Sequence, residues 1–294
     1  MSLGAPVGVG PFEAERPRLL GIAYRVVGTF ADAEDVVQEV WLRWQAADQA
    51  AIERPAAWLT TVTSRAALDR LRAQQRRREE YVGPWLPEPI RVDAPGPEEA
   101  AELAESLTLG FLAVLERLEP VERVVFLLAD VFGEPFAGIA IAVDRSEVAC
   151  RQIASRARKR VRDERRARPS PHDQDIVAEL VAAVGAGDVD RTIGLLDPDV
   201  VLTSDGGPRH RAARNPVVTA PRVARFLVNL VRRTPVGTEV HQALVNGHAA
   251  IVIGSLHEPR FAVVFETRPG AVTAIDIVVN PDKLGHLAEP VRHV

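Results

Sequence analysis

The residues best equipped for chemistry in this chain of 294 residues form a row of hydrogen-bond donors. Arg151, Gln152, Ser155, Arg156 and Lys159 share one side of a stretch whose other side carries Cys150, Ile153, Ala157 and Val161 at helical spacing. Arginine and glutamine side chains match guanine and adenine edges in a major groove, and cations further along match phosphates. Ser146 is placed to cap this helix, while Phe136, Ile139, Ala140 and Val143 predict a shorter helix before it, with Asp144 and Arg145 as the turn. Two short helices joined by a tight turn make a helix-turn-helix, the second acting as recognition helix. From Ser146 to Arg168 nine cations stand against three acids. A solvated basic helix in an ordinary bundle would carry the same charge, so the rest of the chain has to decide between the two.

The formal net charge is −4, but it is unevenly distributed. Six arginines between Arg65 and Arg78 face Asp69 alone, whereas six acids between Pro84 and Glu105 face only Arg91. Two basic patches divided by an acidic spacer fit two nucleic-acid contacts with damped non-specific affinity. No apolar run is long enough to span a bilayer and no signal-peptide pattern opens the chain, so a cytoplasmic protein without a membrane partner is expected. The single cysteine, Cys150, excludes a disulfide framework and reads as a small buried hydrophobe. No spacing of histidines, acids and cysteine predicts a metal site, and no glycine-rich phosphate loop is present. Neither a metal nor a cofactor is expected.

Positioning elements follow from periodicity. After a start expected to be disordered, Phe12 to Val27 predicts a helix, broken by Gly28-Thr29. Asp32 is the expected cap of the next, where Ala33, Val36, Val37, Val40, Trp41 and Trp44 form an apolar stripe with Trp41 in the core, opposite Asp35, Gln38, Glu39 and Arg43. Pro55 opens a third long helix carrying Trp58, Thr61 and Ser64 early, then Arg65, Arg72 and Arg76 within the arginine cluster.

DAEDVVQEVWLRW followed by PAAWLTTVTSRAALDRLRAQQRR resembles region 2 of the extracytoplasmic-function (group IV) RNA polymerase sigma factors, and VERVVFLLADVFGEPFAGIAIAVDRSEVACRQIASRARKRVR resembles their region 4. The resemblance implies two all-α domains and promoter-specific transcription initiation with core RNA polymerase. Region 2 would grip the beta-prime clamp helices through Asp35, Gln38, Glu39 and Arg43, and region 4 would meet the beta flap. Trp58, Thr61, Ser64, Arg65, Arg72 and Arg76 would open and hold the minus-ten element, where an aromatic can stack an unpaired base and arginines hold single-strand phosphates. Ser146, Arg151, Gln152, Ser155, Arg156 and Lys159 would read the minus-thirty-five element. Ser64-Arg65 stand four residues before Asp69 where the family often shows Arg-Asn, so the minus-ten preference is not transferable.

The join between the halves, GPWLPEPI, holds an extended path because two prolines flank Glu88. Trp85, Leu86, Pro87, Glu88 and Pro89 resemble the interdomain linker of the subgroup with a C-terminal SnoaL-like domain. After Pro169-Ser170-Pro171, an amphipathic helix around Ile176 to Val184, a short one from Asp188 to Leu196 and a third from Val223 to Val231 precede four β-rich runs, EVHQALVN, AAIVIGS, RFAVVFETR and AVTAIDIVV. Helices followed by an antiparallel meander predict an α+β cone. Two further signatures of the subgroup appear as Asp205-Gly206-Gly207-Pro208 and Asn280-Pro281-Asp282-Lys283-Leu284. The expected domains are region 2 over 10–80, a linker over 81–98, region 4 over 99–168 and a SnoaL-like regulatory domain over 172–288.

SnoaL-like folds include polyketide cyclases that use an acid and a histidine, so Asp205, His210, His241 and Asp276 are the candidates for catalysis. Asp205-Gly-Gly-Pro reads better as a turn and Asn280-Pro281-Asp282 as a stop after the last strand, so no catalytic residue is expected and both motifs are assigned to regulation. A fused domain works at high local concentration, and it is expected to hold regions 2 and 4 in a compact arrangement. A small ligand could occupy the cone, though nothing in the sequence identifies one. Two rival functions are a duplex-binding regulator acting without polymerase and a SnoaL-type enzyme fused to a DNA-binding module.

Overall fold

The computed structural model describes residues 9–78, 83–91, 109–164, 173–208, 210, 212–235, 237–246, 248–255 and 257–288. The acidic spacer beyond Arg91, Arg165–Arg168, Pro169-Ser170-Pro171 and the first eight residues lie outside them. The chain divides into two compact units, one of Met1–Glu79 with Val114–Glu164, the other of Glu80–Ala113 with Arg165–Arg292.

In the first unit, α1 (Val9–Val27), α2 (Phe30–Ala46) and α3 (Pro55–Arg78) pack around Leu19, Ile22, Val26, Val36, Val40, Leu59, Leu68 and Leu71, all buried. The turn between α1 and α2 differs from the expectation. Thr29, in extended conformation, is the N-cap residue, and Asp32 sits in the first turn, where the Thr29 hydroxyl donates to it at 2.6 Å. Asp32 also accepts from Arg70 Nε at 2.6 Å and from Gln74, which ties α2 to α3. Trp44 fills the core and stacks on Trp58 at 5.5 Å, whereas Trp41, expected inside, is half-buried and packs on Phe12 at 4.8 Å. A stripe wider than its core takes one edge position to the rim.

After α4 (Leu109–Leu115), whose last two residues open the second segment of this unit, three further helices complete it: α5 (Pro120–Phe126), α6 (Phe136–Val143) and α7 (Glu147–Glu164), with a π-turn over Leu127–Val131 after α5. Glu119 and Glu122 form a capping box at the start of α5. Asp144 takes the left-handed conformation (φ 54°) that ends α6, and the Ser146 hydroxyl accepts from Ala149 N at 3.2 Å as α7 begins. Cys150, Ala157 and Val161 are buried as expected, whereas Ile153 is half-buried and Ala154 takes the inner position beside it. Burial also raises the Cys150 thiol above its ordinary pKa, consistent with an inert packing role.

The second unit is built on one six-stranded sheet in the order β2-β1-β6-β5-β4-β3. Its strands are β1 (Leu196–Asp205), β2 (Val217–Val218), β3 (Val240–Val245), β4 (His248–Gly254), β5 (Pro259–Arg268) and β6 (Ala271–Val278). The four expected runs became β3 to β6 as an antiparallel meander, but β1 and β2 were not foreseen, and β1 runs parallel to β6. LDPDVVLTSD hides its alternation behind Asp197, Pro198 and Asp199. Helices α8 (Asp173–Gly185), α9 (Val189–Gly194) and α10 (Ala220–Arg233) cover one face through Val177, Leu180, Val200, Leu202, Val223, Phe265 and Ile275. The opposite face carries Val245, Ala250, Val252, Ala262, Val264 and Val278, covered by Leu86, Leu284 and Leu287.

Burial by itself would raise the Asp32 carboxyl, but hydrogen bonds from Thr29, Arg70 and Gln74 outweigh it and hold the group below the ordinary aspartate value. Its stabilisation is therefore present above the unfolded pKa and lost as pH falls through the lower folded value. Asp32→Asn is expected to cost about 2 kcal/mol at pH 7. The gap from wild type should narrow below about pH 4. Urea unfolding at pH 7 and pH 3 checks both, and an equal loss at the two pH values would mean that the charge plays no part.

Candidate functional site

Three groups of side chains are arranged for recognition. The first is the outer face of α2, where Asp35, Gln38, Glu39 and Arg43 are all exposed, as is Leu42, an apolar residue at 59%. Arg43 pairs with Glu39 along the helix, and Asp35 accepts from Arg70 at 2.7 Å. An exposed leucine among fixed charges suits a partner helix better than water.

The second group is the donor row. Ser146, Arg151, Gln152, Ser155, Arg156 and Lys159 are exposed along α7. Two neighbouring arginines have structural partners: Arg158 binds Asp130 at 2.7 Å and Arg160 binds Glu122 at 2.5 Å, so α7 is pinned to the elements behind it. On α3 the predicted residues separate. Arg65 and Arg72 are exposed, and Trp58 and Thr61 are half-buried. Ser64 does not join that face: it is buried, with its hydroxyl donating to Thr60 O at 2.7 Å. Arg76 lies in α3 with its side chain outside the description. A helical serine bonded back to the previous turn is satisfied inside and offers nothing outward.

The two helical segments also meet. Arg65 donates to Ile141 O at 2.6 Å, joining α3 to α6, and Arg18 of α1 pairs with Glu134. Arg123, 1% exposed, donates through Nε to Arg25 O at 3.0 Å and pairs with Glu116 at 2.6 Å. Arg25 is equally buried, donates to Gly21 O at 3.0 Å and lies 5.4 Å from the Phe132 ring, and burial pushes its pKa down to about 10. The two helical segments are thus packed against each other within this unit.

The third group lies in the second unit and is the most tightly built. Asp205, at the end of β1, is fully buried; its Oδ1 accepts from Gly207 N at 2.9 Å and its Oδ2 from Leu86 N at 2.9 Å and Lys283 Nζ at 2.7 Å. Lys283 also donates to Leu86 O and stands 3.7 Å from the centre of the Trp85 ring. Its ammonium thus has three partners in a buried place. The Asp205 carbonyl accepts from Val279 N and Asn280 N, and Asn280 Oδ1 accepts from Asp282 N. Gly207 has φ +61°, and a Cβ there would come within 2.6 Å of the Asn280 side chain. Pro281 opens a short 3₁₀ turn that carries Lys283 back under the strap, and Leu284 joins the apolar layer beside Leu86. Further on, Ile90 N donates to Asn246 Oδ1 at 3.0 Å, Asn246 N returns to Ile90 O at 2.9 Å, and His286 approaches Glu88 at 3.7 Å. Pro87, Glu88 and Pro89 are buried, while Pro208 is exposed at the outer end of the Asp205 turn. Sequence reasoning missed Asn246 and His286; Asn246 was visible only as the last residue of the run EVHQALVN.

Among the catalytic candidates, His210 is exposed, His241 is partly exposed on edge strand β3 beside Glu239, Asp205 is held by Lys283, and Asp276 is buried on β6. Among the described residues no helix is long and apolar enough to cross a membrane.

Residues 12–77 match the family model for Sigma-70 region 2 and residues 109–161 that for Sigma-70, region 4. The chain is 43% identical to the ECF RNA polymerase sigma factor SigJ of Mycobacterium tuberculosis, over 94% of this chain and 92% of that protein. The chain belongs to the extracytoplasmic-function RNA polymerase sigma factors. It is also 32% identical to the probable ECF RNA polymerase sigma factor SigI of the same organism, over 98% of both chains. The crystal structure of Mycobacterium tuberculosis SigJ is similar at a TM-score of 0.76 and 39% identity, covering 97% of this chain and all of that one. A member of this family initiates promoter-directed transcription with RNA polymerase, and the C-terminal mixed sheet with its helices fits a SnoaL-like cone.

In this sigma factor Asp205→Ala is expected to cost about 3–5 kcal/mol, because Lys283 would stay buried without its carboxylate. Hydrogen exchange should quicken at the Leu86 amide by about tenfold or more. The Ile90 amide, held by Asn246, should change far less; equal exchange at Leu86 in variant and wild type would contradict the geometry.

Proposed function

We propose that the three faces divide the work of initiation. Asp35, Gln38, Glu39 and Arg43 with Leu42 dock the beta-prime clamp helices; Trp58, Thr61, Arg65, Arg72 and Arg76 handle the minus-ten element; and Ser146, Arg151, Gln152, Ser155, Arg156 and Lys159 read the minus-thirty-five element, with the beta flap as region 4's other contact. Exposure of the α2 and α7 faces supports this division. Ser64 drops out as a contact because its hydroxyl is satisfied inside. The functional divisions stay at 10–80, 81–98, 99–168 and 172–288.

The C-terminal domain, on this reading, modulates initiation by holding the linker and not by turnover. The observation that carries it is the capture of Trp85 and Leu86 by Asp205 and Lys283. The linker is the only covalent path from region 2 to region 4, so anchoring it limits how far the two can separate. Asp205, one of the four catalytic candidates, is spent on that anchor, which favours a regulatory role over the enzymatic alternative. A small ligand in the cone would act only by binding the anchored and released forms unequally.

Run-off transcription with purified core RNA polymerase, on a promoter selected from the source genome, tests both parts. The full chain and a version ending near Arg168 should each support transcription, in different amounts. Asp35→Ala with Glu39→Ala should reduce binding to core polymerase about tenfold or more. A duplex-binding regulator would keep its output in that variant, and a protein silent in both lengths, with no binding to competent core polymerase, would not be acting as proposed.

A further inference from the structure

The first turn of the recognition helix holds a contact that thermodynamic stability does not explain. Glu147 Oε2 accepts from Arg151 Nη2 at 2.8 Å, and both side chains are about half exposed. Such a pair, four residues apart on a helix surface, contributes little to stability. The guanidinium is also held from another element: the Phe136 ring, on the preceding helix, lies 5.2 Å from Arg151 Cζ. A carboxylate at one edge and a ring against it, from two helices whose angle is set by the Asp144 turn, fix the plane of the arginine fork. The other arginines paired on α7 are anchored to acids behind the helix, whereas this one is anchored to the exposed face itself.

Resting on the assignment of α7 as the minus-thirty-five reader, we infer that Glu147 is a positioning and specificity-determining residue, which with Phe136 holds Arg151 to read one guanine. An arginine reads guanine through two parallel bonds to O6 and N7. A guanidinium has five N–H donors, and the Glu147 bond occupies one. The carboxylate does two things. It holds the fork in the plane required for the paired contact, and its negative charge offsets the attraction that would swing Arg151 to a phosphate. Arg151 is thereby turned from a general cation into a base reader. Glu147 touches the base only through Arg151.

The test uses the full chain assembled with core RNA polymerase and a promoter pool randomised across the upstream element, with bound DNA recovered and sequenced. Wild type should select guanine at one position. Arg151→Ala should abolish that selection, and Glu147→Ala should weaken it about tenfold at the same position while raising recovery of non-matching DNA. The double variant should show no further loss of selection at that position than Arg151→Ala, as expected if Glu147 acts through the arginine. Lys159→Ala should lower recovery of all sequences alike. Unchanged selection in Glu147→Ala, or a change at another position, overturns the inference while leaving α7 as the reader. Unchanged selection everywhere in Arg151→Ala overturns the assignment of the reading face itself.

Discussion

The attachment of Trp85 and Leu86 to the second unit depends on the buried contact between Asp205 and Lys283. Moving two charges out of water costs more than their attraction returns unless the remaining donors and acceptors are satisfied. Here Leu86 satisfies them: its N–H completes Asp205 and its carbonyl completes Lys283. The ion pair is therefore satisfied only with Leu86 in place, and the Leu86 main chain is anchored only with the ion pair formed. Residues 119 and 197 positions apart in sequence are coupled by a single carboxylate and a single ammonium. Trp85 closes the arrangement by laying its ring over the ammonium. This also explains why the glycines of the Asp205 turn stand where they do, since a side chain at Gly207 would collide with Asn280 and displace the turn that carries Lys283.

The first unit solves a related problem with arginine. Arg25 and Arg123 are both buried where the two helical segments meet, and each leans on backbone carbonyls as well as on charge or a ring. Carbonyl partners are shared between the segments, because the Arg25 main chain receives the Arg123 side chain. Such a contact is specific because it depends on matched polar partners as well as on apolar packing. Arg65, which belongs to the proposed minus-ten surface, donates to the end of the first helix of the helix-turn-helix. In this arrangement one side chain of that proposed surface is occupied by the helix-turn-helix.

What the sequence disclosed, and what it did not, follows the range of the interaction. The helix-turn-helix was legible because its signals are local: a stripe at helical spacing, a serine before it and a turn between. The α2 face was legible for the same reason. Errors arose where neighbours in space override neighbours in sequence. Asp32 looked like a cap, but Arg70 and Gln74 recruit it and leave the cap position to Thr29. Ser64 looked available beside Arg65, yet one residue further back on a helix points to a different face. Strand β1 was missed because its polar start masks its alternation, and its parallel pairing with β6 cannot be inferred from a meander pattern. The linker and both turn motifs were singled out by family resemblance. Their pairing through Asp205, Lys283 and Leu86 is a long-range fact that no spacing encodes.

The strength of the strap decides whether it can regulate. Shifting a two-state equilibrium from one extreme to the other requires roughly 5.5 kcal/mol of differential binding. The strap is held by the Leu86 and Ile90 amides, the return bond from Asn246, the Lys283 bond to Leu86 and the burial of Leu86. Each hydrogen bond contributes a net of about 1 kcal/mol, and the buried leucine about 2 kcal/mol. Ordering the strap opposes these gains at about 1–2 kcal/mol per residue. The two sides are of similar size, so the docked and released forms lie close in free energy and a modest differential affinity can tip them. A strap anchored by apolar burial alone could slide and be replaced in many ways. One anchored by a buried ion pair that needs its main chain is either docked or released, which is the two-state behaviour that regulation requires.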